Sequence, residues 1–199
     1  MDDGTEMEVK LKGYKVQKGL IKEIKVRDEA DKKIRIDPAK IKHMYIPPSK
    51  LAKFNQKLDA ATDLTKIQDG ELNQTYLTDG YVYMEKSVVQ IKKKSQGSYV
   101  MQLINPAFSG KIKVYADPNA KETFSVGVGG MTLAGGLDKS YYIKKASEDV
   151  AIRFYKKDYK KQFNELFADC PSLIEKYGSS PKWEDLEQVI YEFSTDCVK

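Results

Sequence analysis

Few residues in this chain have the chemistry of a ligand or a nucleophile, and their spacing narrows what they could do. There are two cysteines, Cys170 and Cys197, and one histidine, His43. A zinc site needs several Cys, His or carboxylate ligands at close spacing, and one imidazole far from two thiols does not supply them. A Cys–His nucleophile pair would depend on the fold alone to bring His43 to a cysteine, and a partly buried strand histidine is the simpler reading. The run Gly127 to Gly136 holds five glycines. A phosphate loop needs a glycine followed directly by Lys and Ser or Thr at the start of a helix. Here Lys139-Ser140 comes three residues late and leads into a β-like run. The glycines therefore read as a bulge, a tight hairpin or a close backbone approach. No Gly-x-Ser-x-Gly elbow occurs. Asp and Glu are plentiful enough for acid–base work, but their spacing selects no pair. The sequence points to no catalytic residue, metal ligand or cofactor.

Tyrosine is the other unusual feature. Tyr81, Tyr83, Tyr99, Tyr115, Tyr141, Tyr142 and Tyr155 all fall in β-like stretches. An aromatic ring with a polar tip suits a binding surface, and it suits a half-buried sheet equally well.

The elements that must position these residues follow from periodicity. Tyr159, Phe163, Leu166 and Phe167 lie at i, i+4, i+7 and i+8, one apolar helical face. Trp183, Leu186, Val189, Ile190 and Phe193 form a second such face. Pro181 is placed as its first helical residue, with Ser180 as cap and Glu184 and Asp185 in the acid-favouring first turn. Before them the chain is β-rich. Short strands are predicted over Met7–Val26, Ile34–Ile36 and Ile41–Ile46, then a short Ser49-capped helix with Leu51, Phe54 and Leu58 on one side, and a polar connection over Thr62–Thr78. From Tyr81 the strand signal is strongest: Tyr81–Glu85, Val88–Ile91, Ser98–Ile104, Lys111–Ala116, Thr123–Val126, Ser140–Lys144 and Val150–Tyr155. Close spacing without intervening helices implies antiparallel hairpins. The fold class expected is α+β, an antiparallel β-sheet or partly closed barrel followed by C-terminal helices. The 199 residues read as one domain, with 1–61 as a small N-terminal β-rich subdomain and 79–199 as the main unit.

Net charge is +5, from 34 basic and 29 acidic side chains. The densest runs, Lys92-Lys93-Lys94 and Lys156-Lys157 with Lys160-Lys161, are interrupted by strand or helix patterns and read as solvated faces, so no nucleic acid is expected as a partner. No run approaches the length of a transmembrane helix. The start, Met1-Asp2-Asp3-Gly4, has no basic n-region or apolar h-region, so no signal peptide is read. The chain is then either cytosolic or a mature form with an added start methionine. The thiols leave the same choice open. Cys170 ends one helix and Cys197 follows another, so antiparallel packing could join them and close a loop worth about 3–4 kcal/mol. In a cytosolic protein they would be buried free thiols.

Several local patterns occur together: Asp79-Gly80-Tyr81-Val82 with Glu85, Gln102 to Pro106, Lys113 to Pro118 with Ala120 to Thr123, Ser140 to Lys145, Lys156 to Lys161, and Phe167-Ala-Asp-Cys-Pro171 with the closing Cys197. Over roughly Asp79 to Cys197 the chain resembles a family of uncharacterised Bacteroidota proteins whose members usually carry export signals. The most specific part is Asp-Cys-Pro followed, after a helix, by a terminal cysteine. The family pattern often has Tyr-Asn before the last Cys region, where this chain has Ser194-Thr195-Asp196. The resemblance implies an exported mature domain, periplasmic, outer-membrane-associated or secreted, with Cys170 and Cys197 paired. It implies no activity.

The function expected from this reading is a non-catalytic binding or interaction module of the bacterial cell envelope, with an unknown protein or small ligand as partner. The alternatives are a hydrophobic-ligand carrier on a partly closed barrel and a hydrolase using a carboxylate pair.

Overall fold

The structure is a computed structural model and describes residues 1–47, 72, 74–92, 95–120 and 138–197. Three antiparallel strands come first: β1 (Lys10–Gln17), β2 (Leu20–Arg27) and β3 (Lys33–Ile36), in the order β1-β2-β3. The β1–β2 turn holds two residues, Lys18 and Gly19, with φ of 54° and 79°. Two successive positive φ values are what the tight primed hairpin turn requires. At Gly19 a side chain would also collide with Pro118 and Asn119, because the turn abuts the main sheet there.

The main sheet has six strands. They are β4 (His43–Ile46), β5 (Val82–Lys92), β6 (Ser95–Gln102), β7 (Ile112–Ala116), β8 (Ser140–Lys145) and β9 (Val150–Tyr155), with α1 (Gln74–Thr78) just before β5. β6 runs along one edge of β5, while β4 and β9 share its other edge at Val82–Glu85 and Val88–Gln90. The path continues β9-β8-β7, all antiparallel. The sheet then curls until Leu103 bridges Tyr115 and the Ile104 N–H donates to the Val114 carbonyl at 2.8 Å. The fold is α+β with a curled, half-barrel sheet, as the strand pattern predicts.

One pairing departs from that pattern. β5 and β9 are parallel. Successive antiparallel neighbours alternate direction, so in a meander of five strands the first and fifth run the same way. Curling that meander into a ring forces one parallel contact, and no crossover helix is needed to make it.

Side-chain alternation then sorts the core into layers. Val89, Met101, Leu103, Tyr115, Tyr142 and Ala151 point into the ring. Ile112, Val114, Tyr141, Ile143 and Phe154 point outwards to the helices α2 (Tyr159–Leu166), α3 (Pro171–Tyr177) and α4 (Leu186–Thr195). On the far side Val100 packs against Ile24, Val26 and Ile41. β7 and β8 are therefore covered on both faces, which is why Tyr141 and Tyr142, adjacent in sequence, are both buried.

The helical faces read from periodicity are the buried ones. Tyr159, Phe163 and Phe167 are within 1% of full burial, and Trp183, Leu186, Val189, Ile190 and Phe193 join them. The helix start differs from expectation. Pro181 is buried before a 3₁₀ turn at Trp183–Asp185, and α4 begins only at Leu186 with no side-chain cap. Here the indole decides: Trp183 Nε1 donates to the Asp138 carbonyl at 2.9 Å, anchoring the entry to the sheet. The chain also forms α3, with Pro171 at its first turn, between the two predicted helical faces.

Other boundaries move for identifiable reasons. The predicted strands Tyr81–Glu85 and Val88–Ile91 are one continuous β5. Gly97, expected to separate strands, lies inside β6, where a side chain would meet the Tyr99 ring. α1 interrupts the expected connection over Thr62–Thr78. The predicted Ser49-capped helix, the strand Thr123–Val126 and the run Gly127–Gly136 lie outside the described residues.

Candidate functional site

Inside the ring, strand alternation places Tyr83, Glu85, Ser87 and Val89 of β5 on the concave face, opposite Lys113 and Tyr115 of β7. The Glu85 carboxylate accepts from Lys113 Nζ at 2.9 Å and from the Tyr115 hydroxyl at 2.6 Å. The Ser87 hydroxyl is buried in the same wall. Burial, reinforced by the nearby carboxylate, pushes the Tyr115 hydroxyl well above the usual tyrosine range. It stays protonated and acts as a hydrogen-bond donor. His43, paired in register with Glu85, sits half-buried on β4 against Tyr45 and Tyr83, with centroids 6.0 and 5.8 Å away.

A second charged cluster lies further along the ring. Asp117 has no exposed side-chain surface and receives Arg153 through two bonds, Nε at 2.6 Å and Nη2 at 2.5 Å. The Ser140 hydroxyl donates to the same carboxylate at 2.5 Å. The guanidinium lies between the rings of Tyr142 and Tyr155, 5.5 and 5.6 Å from their centroids. Each cluster holds a charge-balanced pair, Glu85 with Lys113 and Asp117 with Arg153, the arrangement that lets charge sit in a protein interior, while the buried Ser87 hydroxyl makes no hydrogen bond among the described residues. In both, the carboxylate is held by its own cation.

The tyrosines singled out from sequence divide into two groups. Tyr83, Tyr115, Tyr141 and Tyr142 are core, while Tyr99 and Tyr155 border the ring with Lys22 and Arg153 against their faces. Tyr81 lies just outside β5, its ring tilted against that of Tyr76 at 4.8 Å. They form no single surface.

The N-terminal sheet presents a different kind of surface, one that run-by-run reading of charge missed. Between Lys10 and Ile36 there are ten Lys or Arg against four Asp or Glu. This excess of six accounts for the whole chain's net charge of +5. On the outer face Glu23 alone is approached by Lys15, Lys25 and Arg35 at 3.5 to 4.0 Å. The opposite face carries the apolar register. Leu11 stands across from Val26 and Tyr14 from Ile24. Ile24 and Val26 are buried to 3%, yet Leu11 and Tyr14 are 38% and 51% exposed, and Val16 is 49% exposed. β1 extends past the body that covers β2. Its far edge pairs with no strand among the described residues. A window of charge over Lys10–Ile36, rather than a search for lysine runs, would have found it.

Cys170 and Cys197 form a disulfide, with Cα atoms 5.4 Å apart. Cys170 lies immediately before α3, and α4 ends close enough to it for Cys197 to reach it. Lys111 Nζ donates to the Cys197 carbonyl, tying the chain end to the start of β7. Among the described residues no helix is long and apolar enough to cross a membrane, and no group of three His, Cys, Asp or Glu gathers as a metal would require. Comparison with protein-family models, curated proteins and solved structures found no match.

Proposed function

We propose that this chain is an exported, non-catalytic interaction module of the bacterial cell envelope that captures an acidic extended segment of a partner protein along β1. The observation that carries this reading is the overhanging strand. An edge strand guarded against association carries charge or a bulge and little else. β1 carries Lys10, Lys12 and Lys15 and two bulges in its pairing with β2, yet among these guards it also exposes Leu11, Tyr14 and Val16. An added strand takes its affinity from main-chain hydrogen bonds and its specificity from alternate side chains. Here those side chains select apolar residues on one face and acids on the other. A second copy of β1 would set lysines against lysines, which disfavours self-pairing.

The disulfide supports an oxidising compartment, as does the resemblance to exported proteins. The carrier reading has less support, because Val89, Met101, Tyr115 and Tyr142 pack together inside the small ring. The hydrolase reading has less support, since the two ring carboxylates described, Glu85 and Asp117, each hold their own cation.

The test is amide hydrogen exchange on the full chain with a short peptide alternating Glu with Val and Tyr. Slowed exchange in β1, weakened by added salt and by Leu11→Ser with Tyr14→Ser, is the expected result. Unchanged β1 exchange overturns the proposal. So does protection of this sheet by duplex DNA or phosphatidylglycerol vesicles but not by the peptide.

A further inference from the structure

A second site lies on the opposite layer, where the β6–β7 connection crosses over α4. Asn105 builds it. Its side-chain amide donates to the carbonyls of Ile112 at 2.8 Å and Phe108 at 3.3 Å, while its oxygen accepts from the Val114 N–H at 2.9 Å. These bonds hold the 3₁₀ turn Pro106–Phe108 away from the helix, and a pocket of about 160 Å³ opens between them. Its walls are Ile104, Phe108, Val114, Tyr141, Leu186 and Ile190. Ile104 remains 45% exposed at the rim.

Size and chemistry restrict the occupant. An apolar cavity of about 150 Å³ accepts a benzene-sized molecule. Two walls are aromatic, and the Phe108 ring is itself held edge-on by Tyr191 at 5.4 Å, so a third ring finds faces and edges to pack on. The polar groups are mostly committed. Asn105 is saturated by backbone, and the Tyr141 hydroxyl already accepts from the Asp138 N–H at 3.0 Å. Glu187, exposed on the first turn of α4, is the remaining polar lining group and has no ion pair among the described residues. It supplies one negative charge beside an apolar slot.

We infer that this pocket binds a compact aromatic ring carrying a cationic group, an arylalkylammonium ligand, with the ring between Phe108 and Ile190 and the ammonium on Glu187. The inference does not depend on the role of β1, which lies on a different layer.

The experiment is an NMR titration of the full chain with phenethylamine, 2-phenylethanol and n-butylamine, up to about 20 mM, the range in which ligands of so few atoms bind. Phenethylamine should shift the amides of Val114, Leu186 and Ile190 and bind more tightly than 2-phenylethanol, while n-butylamine leaves them unmoved. Glu187→Gln, an exposed and conservative change, should weaken phenethylamine by about 3–10-fold and leave 2-phenylethanol unchanged. Three results would each overturn the assignment: no shifts around the pocket with phenethylamine, equal shifts with n-butylamine, or a Glu187→Gln variant that keeps the preference for the amine.

Discussion

Trp183→Ala tests the joint between the sheet and the helical layer. The indole is 4% exposed. It stacks on Tyr141 and Phe154 at 6.0 and 6.2 Å and meets Tyr159 edge-on at 5.3 Å. Burying a side chain of this size removes roughly 150–250 Å² from water, so at about 25 cal/mol per Å² the transfer term is about 4–6 kcal/mol. Alanine keeps a small part of that, and the three surrounding rings cannot all collapse into the space. The expected cost is therefore about 3–5 kcal/mol. Trp183→Phe keeps a ring in the stack but loses the donor to the Asp138 carbonyl, and should cost about 1–2 kcal/mol. Urea unfolding of the three proteins, with comparable slopes, measures both differences. A cost below about 1 kcal/mol for the alanine variant would refute the core assignment and make Trp183 a surface residue.

Removing the disulfide with Cys170→Ser and Cys197→Ser should lower stability by about 3–4 kcal/mol, from the entropy regained by the open loop. Intact mass before and after alkylation without reductant should show no free thiol in the parent protein, and two free thiols in the folded protein would contradict the bridge. Arg153→Met leaves Asp117 buried without its cation and should cost about 3–5 kcal/mol, whereas a double variant with Asp117→Leu should cost less than the two single changes together. Additive losses in that cycle would show that the two side chains are not coupled.

Alkaline stability has a defined sign. Burial pushes Tyr141 up to about 12 and holds Tyr115 and Tyr159 higher still. Their stabilisation is fully present below the unfolded tyrosine value near 10 and is lost as pH rises through the folded values, at about 1.4 kcal/mol per pH unit for each. Ultraviolet titration should show these three ionising only with unfolding; ionisation in the folded protein near pH 10 would contradict their burial.

At the acid end, burial of Glu192 is outweighed by hydrogen bonds from Lys176, Gln188 and Tyr177, which hold its carboxyl below the usual glutamate range. That contribution is present above the unfolded value and lost as pH falls through the lower folded value. Glu192→Gln should accordingly flatten the acid limb of the stability profile, and an unchanged limb would count against the cluster.

The sequence by itself determined which residues are apolar at which period. That was enough for the buried faces of α2 and α4, the strands around Tyr115, Tyr142 and Phe154, and the α+β class, because local periodicity survives whatever the strands pair with. It also showed that His43 has no partners at metal-ligand spacing. Pairing was not legible in the same way. Whether Cys170 meets Cys197 depends on where α4 stops relative to α3, a distance set by packing of both helices on one sheet. The parallel β5–β9 contact follows from closure of an odd meander, which no single strand encodes. Glu85 with Lys113 and Asp117 with Arg153 are each joined across strands separated by 28 and 36 residues, and nothing local marks either pair. The same holds for the two proposed sites. Leu11 and Tyr14 lie three apart, so strict alternation would put them on opposite faces; the bulge after Leu11 returns Tyr14 to the same one, and only the tertiary structure leaves both exposed, because β1 reaches beyond the body that covers β2.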